Sequence, residues 1–334
     1  DIAKAAGVSH PTVSRALNDS NLVSEKTKAK IQNLAKRLGY TPDPMLSALV
    51  KYRNNFIPHT ATSSIALVCG SHMINRWSAT IESAREYALH LGYGFEFYEW
   101  KEELSPKRHS QILRSRGIKG IILGPLTMKH DFESPNLDWE NFATVTIGRF
   151  MDKPTLDSIT ENQFGAVRIC LDEARKNGYK RPGLITHSRI NLRTYDRLRS
   201  AFDAQMIDLP SEDRVRALLI EGDLTADTLK EWVEQERPDC LVGHSFVGEN
   251  VKNHGWKIPG DFAFAAIDLQ ESDNQSRDYG GAMHNDVELA RLAVATLNDH
   301  ITTGTFGIPD QPKSVLLGSY WSDGDSFPKP NPQK

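Results

Sequence analysis

Three side chains near the start of the sequence, His10, Ser14 and Arg15, bring an imidazole, a hydroxyl and a guanidinium together within six residues. These groups donate and accept hydrogen bonds, and they suit the base edges and phosphates of a nucleic acid. Ser9 can cap a helix here and Pro11 suits its first turn, because the first backbone amides have no partner within the helix. That helix would present the three side chains to the outside. A plain helical hairpin inside a larger core would show the same pattern, so both interpretations stay open at this point.

Two further helices are predicted around this one, which gives a small three-helix module. The first ends at Gly7, where glycine can adopt the left-handed conformation that closes a helix. The third is capped by Ser24 and ends at Gly39. The inward-facing apolar residues at helical spacing are Ile2, Ala5, Ala6, Val13, Ala16, Leu17, Ile31, Leu34, Ala35 and Leu38. A helix, a glycine-containing turn and a second helix form the geometry in which the second helix enters the major groove of DNA.

The charge of the chain is uneven along its length. The net charge is -3 over 334 residues, yet residues 1–60 carry nine Lys and Arg against four Asp and Glu. The rest of the chain is therefore acidic. A basic module joined to an acidic body is typical of a polyanion-binding module, although a solvated basic helix gives the same imbalance.

No catalytic or metal motif can be read from the sequence, and no cofactor is predicted. Gly243-His244-Ser245-Phe246-Val247 lacks the second glycine of a nucleophile elbow, and no dinucleotide-binding fingerprint or P-loop is present. The 11 histidines lack metal-ligand spacing, and the three cysteines are widely separated. No apolar run approaches the roughly 20 residues of a membrane-spanning helix, and no signal-peptide pattern is visible. We expect a non-enzymatic protein of the reducing cytoplasm.

The module is followed by a short linker and a long body. Asp43 can cap, and Pro44 can begin, a helix of about two turns that is too short to be stable alone. We assign residues 1–43 to the helical module and 44–61 to a hinge helix and linker. Residues 328–334 are assigned to a proline-rich tail without structure.

From residue 62 onward, strand-like runs alternate with amphipathic helices. This alternation predicts parallel sheets covered by helices on both faces. It pauses near 150–160 and restarts, which predicts two similar α/β subdomains. The predicted strands are 63–69, 93–99, 119–123, 143–148, 182–187, 216–220, 240–244, 262–267 and 314–319. The predicted helices are 76–91, 106–116, 162–177, 192–206, 226–236, 246–254 and 285–302.

The first 18 residues, DIAKAAGVSHPTVSRALN, resemble the headpiece of the lactose-repressor/galactose-repressor (LacI/GalR) family of bacterial transcription regulators. The family pattern D-(I/V)-A-x-x-A-G-V-S-x-x-T-V-S-R-x-L-N fits at every defined position. Further family landmarks are Val23-Ser24-x-x-Thr27, Leu38-Gly39-Tyr40-x-Pro42, Asn162-Gln163-x-Gly165-Ala166, Pro238-Asp239-Cys240-Leu241-Val242 and Ile258-Pro259-x-Asp261-Phe262-Ala263. In that family the headpiece begins a few residues earlier, so we expect its first helix to begin upstream of Asp1.

The resemblance implies a small all-α helix-turn-helix headpiece and an α/β core of two doubly wound parallel-sheet subdomains, of the periplasmic-binding-protein-like type I. The core would comprise residues 62–327, with the chain crossing between subdomains near 160, 280 and 312. The N-subdomain would take 62–159 and 281–311, and the C-subdomain 160–280 and 312–327.

The resemblance also implies a homodimer that binds double-stranded operator DNA. We expect the second helix to read the sequence, with His10, Pro11 and Arg15 at the base edges. The residues expected nearer the phosphates are Ser9, Thr12, Ser14, Asn18 and Ser24. Leu49 stands where the family's hinge helix places a leucine in the minor groove, although Pro44, Met45 and Leu46 depart from the family pattern there.

Ligands of open α/β sheets bind beyond the carboxyl ends of the strands, and in a two-subdomain core they bind in the cleft. The resemblance implies that Arg199 and Asp268 hold the hydroxyls of an effector, a sugar or sugar derivative. A guanidinium and a carboxylate are the donor and acceptor that a diol needs, although an ion pair between helices is the alternative. The loops after the strands add Trp77, Arg149, His244 and Ser245 as candidate effector-binding residues. His244-Ser245 stand where the family often has Asn-Asp, which puts the usual sugar in question.

Two functions follow from these observations. The first is a ligand-responsive repressor of carbohydrate-metabolism genes, acting at the nucleoid in a bacterial cytoplasm and making no membrane contact. The second is a sugar-binding or sugar-metabolising α/β protein whose basic module has another role. Residues 1–60 favour the first, because a periplasmic binding protein would need a signal peptide in place of a helix-turn-helix.

Overall fold

The computed structural model describes residues 2–8, 12–13, 16, 23–37, 63–126, 135–148, 151, 153–271 and 278–329. The chain divides into two compact units. The first comprises Asp1–Thr146, Met151–Asp157 and Arg291–Pro312, and the second comprises Ile147–Phe150, Ser158–Ala290 and Lys313–Lys334. The predicted hinge at 44–61 lies outside the described residues.

Two helices are described in the N-terminal module, α1 (Ile2–Ala6) and α2 (Glu25–Arg37). They share an apolar cluster that is separate from the cores of the sheets. Its buried members are Ile2, Ala3, Ala6, Val13, Ala16, Val23, Ile31 and Ala35. Six of the ten residues predicted to face inward are therefore buried. Ala5 is exposed and Leu34 is half-buried, whereas Leu17 and Leu38 lie outside the described residues.

The first sheet has six strands in the order β11-β5-β4-β3-β1-β2. Its strands are β1 (Ser64–Cys69), β2 (Gly94–Glu99), β3 (Ile118–Leu123), β4 (Ala143–Ile147), β5 (Asp157–Glu161) and β11 (Ser314–Leu317). The helices between them are α3 (Ser78–His90) and α4 (Pro106–Ser115). The interior strands β1 and β3 are almost wholly buried, as expected for parallel strands covered on both faces.

The second sheet also has six strands, in the order β12-β10-β9-β8-β6-β7. Its strands are β6 (Pro182–His187), β7 (Leu218–Ile220), β8 (Cys240–Gly243), β9 (Ala263–Gln270), β10 (Gly280–His284) and β12 (Tyr320–Ser322). The remaining helices are α5 (Gln163–Asn177), α6 (Ser188–Arg193), α7 (Arg197–Ile207), α8 (Ala226–Glu236), α9 (Ser245–Asn253) and α10 (Asp286–Thr303). The neighbouring pairs formed among β6 to β10 are parallel, whereas β12 pairs with β10 in the antiparallel sense.

Two features of the predicted body are corrected by the structure. The single helix predicted over 192–206 is two helices, α6 and α7, because Tyr195 and Asp196 between them adopt left-handed conformations with φ of 55° and 57°. The strands β5, β10 and β12 were not predicted. No helix within the described part of the chain is long and apolar enough to cross a membrane.

Candidate functional site

The turn after the first helix has the geometry that the sequence predicts. Gly7 adopts φ of 72°, and the N–H of Val8 donates to the carbonyl of Ala3 at 3.1 Å, which closes the helix. The ammonium of Lys30, on α2, donates to the carbonyl of Ala6 at 3.0 Å and ties the two helices together. The turn that sets the direction of the following helix is therefore fixed from both sides.

The third helix of the module begins at its predicted cap. The hydroxyl of Ser24 accepts from the N–H of Thr27 at 3.4 Å. Lys28 is buried and forms an ion pair with Glu25 at 2.7 Å, whereas the other cations of α2 are exposed. These exposed cations are Lys26, Lys30, Lys36 and Arg37. They give the described part of the module a positive surface, which is what a polyanion requires.

The second helix is described at three positions only. Val13 and Ala16 are buried, as predicted for its inward face, and Thr12 is half-buried. The side-chain amide of Gln32 donates to the carbonyl of Ala16 at 3.4 Å. Seven of the predicted DNA-binding residues lie outside the described residues: Ser9, His10, Pro11, Ser14, Arg15, Asn18 and Leu49.

Polar side chains gather at the carboxyl ends of β8 and β9 in the second unit. Oδ1 of Asp268 accepts from the N–H of Ser245 at 2.6 Å, and Oδ2 accepts from its hydroxyl at 3.2 Å. Asp268 thus caps α9, whose first residue is Ser245. The structure brings these two predicted residues together, and the hydrogen bonds between them hold the start of α9 in place.

His244 and Phe246 lie at the same strand end. His244 is buried, with 8% of its surface exposed, and its ring stacks on Phe246 with ring centroids 5.6 Å apart. Phe246 is itself exposed at the surface of the second unit. An aromatic face beside a polar cluster suits the apolar face of a sugar ring.

In the structure, Arg199 forms its ion pair with Asp203 and not with Asp268. Its Nε donates to Asp203 at 3.1 Å, one turn along α7, and half of its side chain is exposed. Arg199 lines a cavity of about 450 Å³ together with Met206 and Arg214. Arg149, another predicted effector-binding residue, lies outside the described residues.

One organising residue at these strand ends was missed by the sequence analysis. Asn191 is buried, and its side-chain carbonyl accepts from the N–H of Arg199 at 3.1 Å. Its amide donates to Asp196 at 2.6 Å. Asn191 therefore fixes the left-handed connection between α6 and α7. The available signal was an amide residue followed by polar residues soon after a strand, which is typical of loops closed by side chains.

Trp77 stands at the strand ends of the first unit, directly before α3. It is half-buried, and its ring packs against Gly124 at the end of β3. A Cβ added at Gly124 would lie 2.5 Å from that ring, so the glycine is required by the packing. Trp77, predicted as an effector-binding residue, therefore has a packing contact within the first unit.

The described residues contain no group of three or more His, Cys, Asp or Glu side chains arranged to hold a metal ion. The buried histidine at the end of β10 has other partners. Nε2 of His284 donates to the carbonyl of Ile267 at 2.8 Å, and its Nδ1 lies 2.8 Å from the hydroxyl of Ser319. These contacts link β10 to β9 and to the segment before β12.

Comparison with known proteins adds the family context. Residues 1–43 match the family model described as bacterial regulatory proteins, lacI family. The probable HTH-type transcriptional repressor ExuR of Bacillus subtilis strain 168 is 51% identical over 163 residues, which cover 48% of this chain and 46% of the relative. The HTH-type transcriptional regulator DegA of the same organism is 32% identical over 162 residues, which cover 47% of this chain and 44% of the relative. The chain thus spans about half the length of these curated relatives.

Solved structures resemble the chain over nearly its whole length. A structure described as the transcriptional regulator CelR-cellobiose complex aligns with a TM-score of 0.58 at 16% identity, covering 97% of this chain and 98% of that one. The lac repressor dimer bound to operator and the anti-inducer ONPF aligns with a TM-score of 0.57 at 16% identity, covering 98% of both chains. These likenesses confirm the predicted fold class, an N-terminal helical module with two parallel-sheet α/β subdomains.

Proposed function

We propose that this chain, whose residues 1–43 match the family of bacterial regulatory proteins, lacI family, is a ligand-responsive transcriptional repressor that binds a pseudo-palindromic operator as a dimer. The observation that carries the proposal is the N-terminal module, in which the family match coincides with the Gly7 turn and a positively charged α2. One module contacts only a few base pairs, so two modules related by a two-fold axis would read two half-sites.

The proposed effector site lies at the carboxyl ends of the strands in the second unit. Asp268 and Ser245 supply acceptors and a donor there, and His244 and Phe246 supply an aromatic surface. A polyhydroxylated ligand suits this combination, because its hydroxyls need both donors and acceptors and its ring carbons need an apolar face. The cellobiose named with CelR supports a sugar or sugar derivative as the effector class.

The test of DNA recognition is a binding-site selection with the unmodified protein and Arg15→Ala. An arginine bidentate to guanine contributes about 1–3 kcal/mol of discrimination, so the variant should lose specificity at one base pair per half-site. Lys26→Ala is the matched control, because it removes one exposed cation of the same module and should weaken binding evenly across sequences. An unchanged motif with Arg15→Ala would remove Arg15 from the proposed interface.

The test of the effector begins with a thermal-shift screen of sugars, sugar phosphates and nucleobases, since a specific ligand raises the melting temperature by mass action. Calorimetric titration of the ligand found, with and without operator duplex, then measures the coupling. Reciprocity requires the dissociation constant to change by the factor by which the ligand changes operator affinity, about 5–150-fold in typical cases. Equal constants would show that the ligand does not control DNA binding.

A further inference from the structure

A groove lies between α7 and the segment that leads into β7, at the edge of the second sheet. Strand β7 is the last strand of that sheet, and it pairs only with β6 among the described strands. The extended segment before it, residues 214–217, lies beside the carboxyl-terminal half of α7. Between them lies the cavity of about 450 Å³, within the range of cavities that hold small organic molecules.

The groove combines an apolar lining with three arginines. Met206, Val215 and Leu219 contribute apolar surface. Arg199, Arg214 and Arg216 line the same groove, and Asp203 is the one acidic residue among its lining residues. The positive charges of the lining therefore exceed the negative ones.

Each guanidinium is held in place by a hydrogen bond from its Nε. The acceptors are Asp203 for Arg199 at 3.1 Å, the carbonyl of Leu209 for Arg214 at 2.9 Å, and Glu236 for Arg216 at 2.7 Å. Within the part of the chain that the structure describes, the terminal nitrogens of Arg199 and Arg216 make no hydrogen bond to protein. These nitrogens are the donors that match a carboxylate or a phosphate.

An ion pair with Glu236 anchors Arg216, and with this carboxylate counted beside Asp203, three arginines still outnumber two carboxylates around the groove. Glu236 is buried, and its two carboxylate oxygens accept from Nε and from the backbone N–H of Arg216. That carboxylate is not among the groove's lining residues, and the side chain of Arg216 is 72% exposed. Glu236 therefore holds the guanidinium of Arg216 in place, while most of the arginine side chain remains exposed to solvent.

From this geometry we propose that the groove between α7 and residues 214–219 is a second ligand site, which binds a small organic anion with an apolar chain. The anionic group pairs with the terminal nitrogens of Arg199 and Arg216, and the chain covers the apolar lining. The site differs from the effector site proposed above, because Arg199 lies on α7 and Arg214 and Arg216 precede β7. Asp268, in contrast, lies near the carboxyl end of β9, and Ser245 follows β8. In this site, the Arg199 side chain binds the anionic group of the ligand, and Asp268 takes no part.

The test is isothermal titration of the full chain with octanoate, which carries a carboxylate and an apolar chain. Saturable binding is expected, with octylammonium not binding and inorganic phosphate binding more weakly than octanoate. Two variants address the site. Arg199→Gln removes one anion donor, and Ile207→Glu places a negative charge at a lining position where 70% of the isoleucine is exposed. Each should weaken octanoate binding by about tenfold or more.

Two controls separate this site from others. Lys230→Gln removes an exposed cation outside the groove lining, and Asp268→Asn alters the proposed effector site; both should leave octanoate binding unchanged. Absence of saturable octanoate binding would overturn the proposal. Equal binding of octylammonium, or unchanged affinity in both Arg199→Gln and Ile207→Glu, would also overturn it. None of these results depends on whether the protein binds an operator.

Discussion

Asp268 is the residue whose sequence-based role and observed contacts can be compared most directly. The family resemblance implied a ligand-binding carboxylate, and the structure shows both of its oxygens bonded to Ser245 at the start of α9. A carboxylate that caps a helix stabilises it through a charge-assisted bond and the helix dipole. Its orientation toward a ligand would therefore depend on the same bonds that support the fold.

We expect Asp268→Ala to lower the free energy of unfolding by about 1–2 kcal/mol, the usual cost of losing a helix cap. Ser245→Ala should cost less, because it keeps the N–H that donates to Oδ1 and removes only the hydroxyl contact at 3.2 Å. Urea unfolding followed by circular dichroism measures both. Equal losses in the two variants would show that the hydroxyl contact, and not the backbone cap, carries the stabilisation.

His109 is a second residue with a measurable consequence. It is fully buried, stacks on Trp100 with ring centroids 3.7 Å apart, and contacts the hydroxyl of Tyr98 and the carbonyl of Lys101. Burial lowers the pKa of His109 below its ordinary value, because the charged ring would lose its hydration. When the pH falls below about 6.5, the unfolded chain therefore binds this proton before the folded chain does, and stability declines.

We expect the free energy of unfolding to fall between pH 7 and pH 5, by at most about 1.4 kcal/mol per pH unit from this one group. His109→Phe keeps an aromatic ring without a titrating nitrogen, so its pH dependence should be shallower. His90→Gln, at an exposed position on α3, is the control and should retain the slope of the unmodified chain. A slope that His109→Phe leaves unchanged would assign the effect to other groups.

The limits of prediction from sequence are visible in Arg199. The family resemblance assigned it a ligand-binding role, and in the structure it pairs with Asp203, four residues along α7. The sequence cannot decide between these partners, because the choice depends on which face of α7 turns toward the strand ends. Asn191 was missed for a related reason, since its importance arises from the left-handed residues that it holds in place.

At the scale of elements, strands with continuous apolar runs were predicted to within a few residues, as for β1 and β6. β10 was missed because it begins with Gly280-Gly281, and glycine disfavours strands. The structure shows why glycine is needed: a Cβ at Gly281 would lie 2.0 Å from the carbonyl oxygen of Ala266 on β9. A close approach of two strands is a feature of tertiary structure, which local propensity does not predict.

The contact between Trp77 and Gly124 joins the start of α3 to the end of β3 and gives a prediction at this scale. Gly124→Ala should lower the free energy of unfolding by about 1–3 kcal/mol, because the added methyl group overlaps the indole ring. In a Trp77→Ala background the overlap is absent, so the same change should cost much less. A double-mutant cycle measured by chemical denaturation gives this difference. Additive losses would show that the two residues do not interact.

At the scale of the whole molecule, the chain carries separate apolar cores for its N-terminal module and its sheets. The module's cluster includes Ile31, and the second unit has its own large cluster around Phe202 and Phe264. A ligand can change operator affinity only if it binds two arrangements of the protein with different affinities. Because the module and the second unit have separate apolar cores, a substitution in one core can be studied without changing the other.

Replacement of Ile31 by alanine should inactivate DNA binding selectively. Ile31 is fully buried in α2, and loss of a buried isoleucine side chain costs about 2–5 kcal/mol. A module of this size has little stability to lose, so most molecules would have an unfolded module and the apparent operator affinity would fall with the folded fraction.

Leu113→Ala in α4, also fully buried, is the matched control in the first unit. Calorimetric melting and gel-shift titration should distinguish the two variants. Ile31→Ala weakens operator binding and leaves the main melting transition unchanged, whereas Leu113→Ala lowers the temperature of that transition. A lowered main transition in Ile31→Ala would mean that the module and the sheets unfold as one cooperative unit.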